Sequence, residues 1–261
     1  MSKPTVLITG ASSGIGAVYA DRFAKRGHDL VLVARDRARL DALAGRLRRE
    51  TGVATEVLVA DLTTEDGLTA VERRLAGDSR IGILVNNAGA ALPGSFAEQQ
   101  ASQVDWLIRL NITAATRLIS AVAPRFVEAG AGSIINLSSV VGVAPEIGLT
   151  VYGATKAFLL YLSQGLQLEL GPRGVYIQAV MPAATHTEIW SKSGRDVNKL
   201  HGVMPVDAMV DAALVGFDRR ELITLPSLPD AEQWTAFNAA RQAMLPNFPQ
   251  VQPAERYRSP A

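Results

Sequence analysis

The chain has 261 residues, 48% hydrophobic and 20% charged, with a formal net charge of +1 and no cysteine. This is ordinary globular composition with chain enough for a large core. The near-zero charge offers no field for nucleic acid or an anionic membrane surface, and the lack of cysteine excludes disulfides, thiolate catalysis and Cys-type zinc sites. Met1-Ser2-Lys3-Pro4 leads straight into a strand-like run without a signal-peptide pattern, and no apolar stretch reaches the ~18 residues of a membrane span, so a cytoplasmic protein is expected.

Short β-rich runs alternate with longer helical ones. Thr5–Thr9 reads as a buried strand, 14–27 as a helix closed by Gly27, and 29–34 as the second strand. Residues 36–50 carry Leu40, Leu43 and Leu47 between arginines, the pattern of an amphipathic surface helix. A third strand (55–60), a third helix (65–76) and a fourth strand (81–85) follow. The spacing then predicts one long helix over 98–128, a strand at 133–137, a helix at 151–170 and a strand at 175–180. A helix at 206–217 and a short seventh strand at 221–225 complete the pattern. The strands are continuous apolar runs, which implies burial on both faces, as in a parallel doubly wound sheet covered by helices. After Leu225 the chain becomes proline-rich. One helix is expected there at about 230–245, with Trp234, Phe237, Ala240 and Met244 forming an apolar stripe that packs on its own domain or on a neighbouring subunit.

The first strand runs into Thr9-Gly10-Ala11-Ser12-Ser13-Gly14-Ile15-Gly16, and a helix follows. Gly10 permits a tight turn and close approach of a pyrophosphate. Gly16 lets the helix pack on the strand, and the first N–H groups of the helix face the phosphates. The spacing is GxxxGxG rather than GxGxxG. At the end of the second strand, Arg35 suits a 2′-phosphate and so favours NADP(H); Ser12, Ser13 and Arg37 add donors, whereas Asp36 would suit a free ribose hydroxyl.

Tyr152-Gly153-Ala154-Thr155-Lys156 sets a phenol and an ammonium four residues apart, on one helix face. A free tyrosine, with a pKa near ~10, is a poor base at neutral pH; a neighbouring cation lowers that value and permits acid–base chemistry. Thirteen residues before Tyr152, Ser138-Ser139 closes a strand at the carboxyl end of the sheet. Asn86-Asn87-Ala88-Gly89 ends the fourth strand, and Asn111 interrupts a helix in which asparagine is a mediocre former.

TGASSGIG, Asp61-Leu62, NNAG, Asn111, Ser139 and YxxxK in this order resemble the short-chain dehydrogenase/reductase family over about residues 4–190. The resemblance implies a Rossmann-type, seven-stranded parallel sheet with helices on both faces. It implies one catalytic domain over 1–261, with a substrate lid at about 188–205 and a C-terminal extension at about 226–261. Tyr152 would be the general acid/base, Lys156 would lower its pKa and hold the nicotinamide ribose, Ser139 would bind the substrate oxygen, and Asn111 would hold a water linking Lys156 to solvent. Asp61 and Leu62 would flank the adenine, Asn87, Ala88 and Gly89 would line the cofactor cleft, and Arg35 matches the NADP-marking position. After the sixth strand the family's Pro-Gly reads Pro182-Ala183. Pro182 and Thr187 remain as expected cofactor contacts, Thr187 at the nicotinamide carboxamide.

The implied function is an NADP(H)-dependent oxidoreductase moving a hydride between the nicotinamide and a ketone, aldehyde or alcohol carbon. A dedicated 3-oxoacyl-thioester reductase and a non-catalytic NADP(H)-binding regulator remain as alternatives. Apolar residues of the lid, Trp190 among them, suit a hydrophobic substrate. His28, His186 and His201 lack metal-ligand spacing, so no metal is expected. No nucleic-acid or membrane partner is expected, and the two long helical stretches resemble those through which the family forms homodimers and homotetramers.

Overall fold

The computed structural model describes residues 3–193 and 196–258. Gly194 and Arg195 of the expected lid, and the last three residues of the extension, lie outside the described residues. Two compact units divide at Ser227 and Leu228.

In the larger unit, strands β1 (Thr5–Thr9), β2 (Leu30–Ala34), β3 (Thr55–Val59), β4 (Ile81–Asn86), β5 (Gly132–Leu137), β6 (Val175–Val180) and β7 (Ile223–Thr224) form one sheet in the order β3-β2-β1-β4-β5-β6-β7. Every pairing is parallel. Successive side chains of a strand point to opposite faces. Val6 and Ile8 accordingly join a core with Tyr19, Phe23, Leu40, Leu47 and Met209, whereas Leu7 joins one with Leu84, Leu118, Val122 and Phe126. Two cores, one on each side of the sheet, explain why the strands are apolar throughout.

The first face is covered by α1 (Gly14–Lys25), α2 (Arg37–Thr51) and α8 (Val206–Asp218), which bury Tyr19, Leu40, Leu47 and Met209 in its core. The second is covered by α3 (Glu65–Gly77), with Leu68, Val71 and Leu75 inward. Asp36 caps α2 by accepting from Arg39 N, and Gly52, in the left-handed region at φ 76°, ends it. Asp21 on α1 is nearly buried and paired with Arg22, Lys25 and Arg46. Burial would raise its pKa, but hydrogen bonds from Lys25, Arg46 and Arg22 outweigh that and hold it at about 2.

The expected helix over 98–128 is two helices, α4 (Ala101–Ile108) and α5 (Ala115–Ala129), joined by a π-turn over Arg109–Ala114. The widened turn holds Asn111, 1% exposed, whose side-chain amide bonds the backbone of Ala90 in the loop after β4. A π-turn at such a position is commonly functional. Helix α6 (Thr150–Leu170) follows β5, and its N-terminal neighbour Leu149 is itself left-handed, at φ 62° and ψ 46°. A four-residue helix, α7 (Ile189–Lys192), lies in the segment after β6. Strand β7 spans only two of the five residues expected.

In the smaller unit, α9 (Ala231–Gln242) is capped by Asp230. Trp234 and Phe237 stack with centroids 5.4 Å apart, but none of the helix's residues is buried. No described helix is long and apolar enough to cross a membrane.

Candidate active site

The order of strands reverses direction at β1 and β4, so the connections leaving them diverge and open a crevice at their carboxyl ends. A cleft of about 1220 Å³ occupies it, running from Arg35 and Asp61 past Gly10 and Gly89 to Tyr152 and Trp190.

At the turn after β1, Gly10 and Gly14 have φ of 65° and 54°. A Cβ on Gly16 would lie 2.4 Å from Gly10 O and 2.5 Å from Asn87 Nδ2, so only glycine brings the helix this close. Asn87 Nδ2 donates to Thr9 O and Gly10 O, and Thr9 Oγ1 accepts from both Asn87 N and Ala88 N at 3.0 Å. Thr9, which the sequence analysis did not single out, thus ties the β4 loop to the glycine turn. Its signal was a lone hydroxyl at the end of an apolar strand. Ser13, the N-cap of α1, makes no side-chain capping bond, and the first turn contains no acid. Helices α2, α3 and α9 are capped by side chains; α1 instead presents its first N–H groups and positive dipole end to the cleft. Ser12 and Ile15 line the same stretch.

Arg35 is 68% exposed, 3.8 Å from Asp61. Asp36 caps α2 through Oδ1 and also lines the cleft. Asp61 accepts from Thr63 N and Oγ1; burial acts to raise its pKa, but these bonds and Arg35 bring it below the usual carboxylate value. Leu62 is nearly buried beside it and also lines the cleft. Across the mouth, Arg39 makes a bidentate pair with Glu188 at 2.8 and 3.0 Å.

At the other end stand Ser139, Tyr152 and Lys156. Ser138, the neighbour of Ser139, donates to Lys156 O at 2.7 Å and braces α6. Ser139 Oγ lies 3.1 Å from Pro182 O and lines the cleft. Lys156 Nζ donates to Leu137 O at 2.7 Å and lies 5.5 Å from the centre of the Tyr152 ring. Burial lowers the lysine pKa to about 8. Burial also pushes Tyr152 up to about 12, a rise only partly offset by a hydrogen bond with Ser139. The Lys156 ammonium is directed to Leu137 O, and burial is the largest influence on the phenol. Gly89 lies between the two halves: a Cβ there would meet Asn111 Oδ1 at 3.3 Å and Lys156 Nζ at 3.4 Å.

Beyond Tyr152 the walls are mostly apolar: Trp106, Leu110, Ile147, Leu149, Trp190 and Leu200, with His201 at the rim. Trp190, Leu200 and His201 belong to the expected lid; Trp106, Leu110, Ile147 and Leu149 come from segments distant from it in sequence. Pairing of Thr185 with Met204 closes the base of the segment that carries Trp190, whose Nε1 donates to Thr185 O at 2.7 Å. Thr187 sets its methyl against Gly14, and Pro182 and Ala183 line the cleft between β5 and this segment. His28 bonds Pro4 O, away from the cleft. Among the described residues no group of metal-ligating side chains occurs.

The family model for short chain dehydrogenases matches residues 4–198. A very-long-chain 3-oxoacyl-CoA reductase from Anas platyrhynchos is 37% identical over 70% of this chain and 60% of its own length, and its Homo sapiens counterpart is 34% identical over the same shares. The chain thus spans about three-fifths of the length of these curated relatives. A short-chain dehydrogenase from Sphingobium yanoikuyae in complex with NADPH is 65% identical, with a TM-score of 0.97 over 98% of this chain and 100% of that one. The bulky-bulky ketone specific alcohol dehydrogenase from Comamonas testosteroni is 56% identical, with a TM-score of 0.93 over 99% and 100%. Glycine turn, NNAG loop, Ser139 and the Tyr152–Lys156 pair stand together in one crevice, and the chain belongs to the short-chain dehydrogenase/reductase family.

Proposed function

We propose that the protein is an NADP(H)-dependent carbonyl reductase or alcohol dehydrogenase whose substrate carries apolar groups on both sides of the reacting carbon. The observation that carries this reading is the meeting of Ser139, Tyr152 and Lys156 with an apolar chamber at one end of a cleft whose other end suits a dinucleotide. The cleft fits that group: a Cβ at Gly16 would clash with the glycine turn, one at Gly89 would crowd Asn111 and Lys156 at the cleft wall, and the N-terminus of α1 is open to an anion. Arg35 would hold the 2′-phosphate, Asp61 and Leu62 the adenine, Gly10 to Gly16 the pyrophosphate, and Asn87 to Gly89, Lys156, Pro182 and Thr187 the nicotinamide half. When bound, the cofactor donates or accepts the hydride.

Ser139 Oγ and the Tyr152 hydroxyl hold the carbonyl oxygen of the substrate. Tyr152 gives that oxygen a proton in reduction and removes it in alcohol oxidation. The Lys156 ammonium, anchored on Leu137 O, stabilises the phenolate that remains, and Asn111 serves the return of a proton from solvent. The raised pKa of Tyr152 keeps the phenol protonated at neutral pH, the form that reduction needs. The apolar chamber excludes water from the reacting groups.

The test is Tyr152→Phe: kcat for ketone reduction falls by at least about 10²-fold while NADPH still binds. Near-wild-type turnover in that variant would overturn the assignment. The names of the curated relatives favour a second reading, reduction of 3-oxoacyl thioesters; comparing an acyl-CoA series with aryl alkyl ketones separates the two. Exposed Tyr161 and Leu168 on α6, 79% and 80% accessible, support a homodimer or homotetramer, to be checked by sedimentation.

A further inference from the structure

Thr155 stands between Tyr152 and Lys156 in sequence, yet its hydroxyl bonds neither side chain. It is 1% exposed. Its hydroxyl donates to Tyr152 O at 2.7 Å, one turn back in α6. With its one proton used there, the oxygen can only accept, and it accepts from Asn111 Nδ2 at 3.0 Å. The other Nδ2 hydrogen of Asn111 goes to Ala90 O, and Asn111 Oδ1 accepts from Ala90 N, both at 3.0 Å. The four groups form a chain with one direction, from Ala90 N–H through the Asn111 amide and the Thr155 hydroxyl to the carbonyl of Tyr152. Each bond in such a chain polarises the next.

Three segments meet on this chain: the loop after β4, the π-turn and the first turns of α6. The paired bonds with Ala90 already set which way the Asn111 amide faces. What Thr155 adds is a link from that amide to the helix that carries the acid–base residue. A threonine in mid-helix that merely satisfied itself would need only the bond to its own backbone. Here the second bond joins a helix to a neighbour 44 residues distant in sequence.

We infer that Thr155 is a positioning residue: through the Asn111 amide it registers the Tyr152 turn against the cofactor-lining loop at Ala88–Ala90. The inference rests on the proposed oxidoreductase reading. Thr155→Val keeps the shape and removes the hydroxyl, leaving Asn111 Nδ2 with a buried hydrogen and no acceptor. Thr155→Ser restores the acceptor.

The experiment is steady-state reduction of an aryl alkyl ketone by NADPH across pH, with wild type, both variants, Asn111→Ala and the double variant Asn111→Ala/Thr155→Val. Expected in Thr155→Val is a fall in kcat of about five- to fifty-fold, a displaced pH profile and NADPH affinity within about twofold, with recovery in Thr155→Ser. In the Asn111→Ala background the valine should add less than a twofold further loss, because the two act along one chain. Unchanged kcat and pH profile in Thr155→Val, with only a lower melting temperature, would reduce Thr155 to a structural role. Losses that multiply in the double variant would also overturn the inference. If the valine variant does not fold, Thr155→Ser against Thr155→Ala makes the same comparison, since both lack the methyl and only serine keeps the hydroxyl. Absence of wild-type turnover on any carbonyl would instead strike the reading beneath it.

Discussion

Replacing Gly16 by alanine tests whether the glycine turn is a contact surface or only a flexible one. The new Cβ would lie 2.4 Å from Gly10 O, 2.9 Å from Gly10 C and 2.5 Å from Asn87 Nδ2. A carbon and an oxygen need more than 3.0 Å, and the oxygen belongs to backbone held by the Asn87 amide, so the turn and α1 must separate. Overpacking of this kind costs about 1–3 kcal/mol, against which alanine returns about 1 kcal/mol of helix propensity. With roughly 2–4 °C of melting temperature per kcal/mol for a chain this long, a net loss of up to about 2 kcal/mol lowers the midpoint by up to about 8 °C. The displaced turn also moves its N–H groups off the pyrophosphate, and losing one bond to a charged group weakens NADPH by about tenfold or more. Thermal melts with and without NADPH, plus fluorescence titration, measure both effects. Gly45→Ala in α2 is the control: its Cβ meets only the mobile end of Arg49, at 3.4 Å, so melting should rise or stay level. A Gly16→Ala protein that melts no lower than wild type and binds NADPH equally well would refute the steric argument.

Other consequences can be measured alongside. Arg35→Ala should weaken NADPH by about ten- to a hundredfold and leave NADH nearly unchanged, since only NADPH carries the 2′-phosphate; equal losses for both would remove Arg35 as the selector. Lys156 is depressed to about 8 and Tyr152 raised to about 12, so as pH rises the ammonium is lost first. The reduction rate should therefore decline through about pH 8, and Lys156→Arg, charged throughout, should abolish that limb in whatever activity it retains; a limb unmoved by the arginine would belong to another group. Asp21 is held at about 2, below its unfolded value of 3.8, so its stabilisation is complete above 3.8 and lost as pH falls towards 2. Asp21→Asn should melt lower than wild type at pH 7, with the gap closing between pH 4 and 2; a gap independent of pH would show that the carboxylate charge is not what stabilises.

The sheet was legible because each strand is a short apolar run and each connection long enough for a helix, a pattern only a covered parallel sheet satisfies. The residues that meet in the cleft were legible because they are polar residues closing apolar strands, or an amine and a phenol at helical spacing. The break at Asn111 was not, because a widened turn has no periodic signature and is stabilised by a loop some twenty residues away, at Ala90. Thr9 and Thr155 escaped notice for a related reason: a threonine in a strand or helix is unremarkable until its partners are known. Trp106, Ile147 and Leu149 read as ordinary apolar residues, and only the fold brings them to one chamber. Spacing places Lys156 near Tyr152 but reveals neither that its ammonium is bonded to Leu137 O nor how deeply both groups are buried.

The anchoring of Lys156 on Leu137 O has a wider consequence. Leu137 is paired with Val180 inside the sheet, so the ammonium proposed to assist proton transfer is tied to a strand that is hydrogen-bonded on both sides. The apolar chamber is built instead from α4, the Ile147–Leu149 loop and the segment around Trp190. Reaction and selection thus have separate mechanical foundations. On the proposed reading, variation in the loops changes which ketone is accepted while Tyr152 keeps its place, which makes those loops the natural ground for altering selectivity by design.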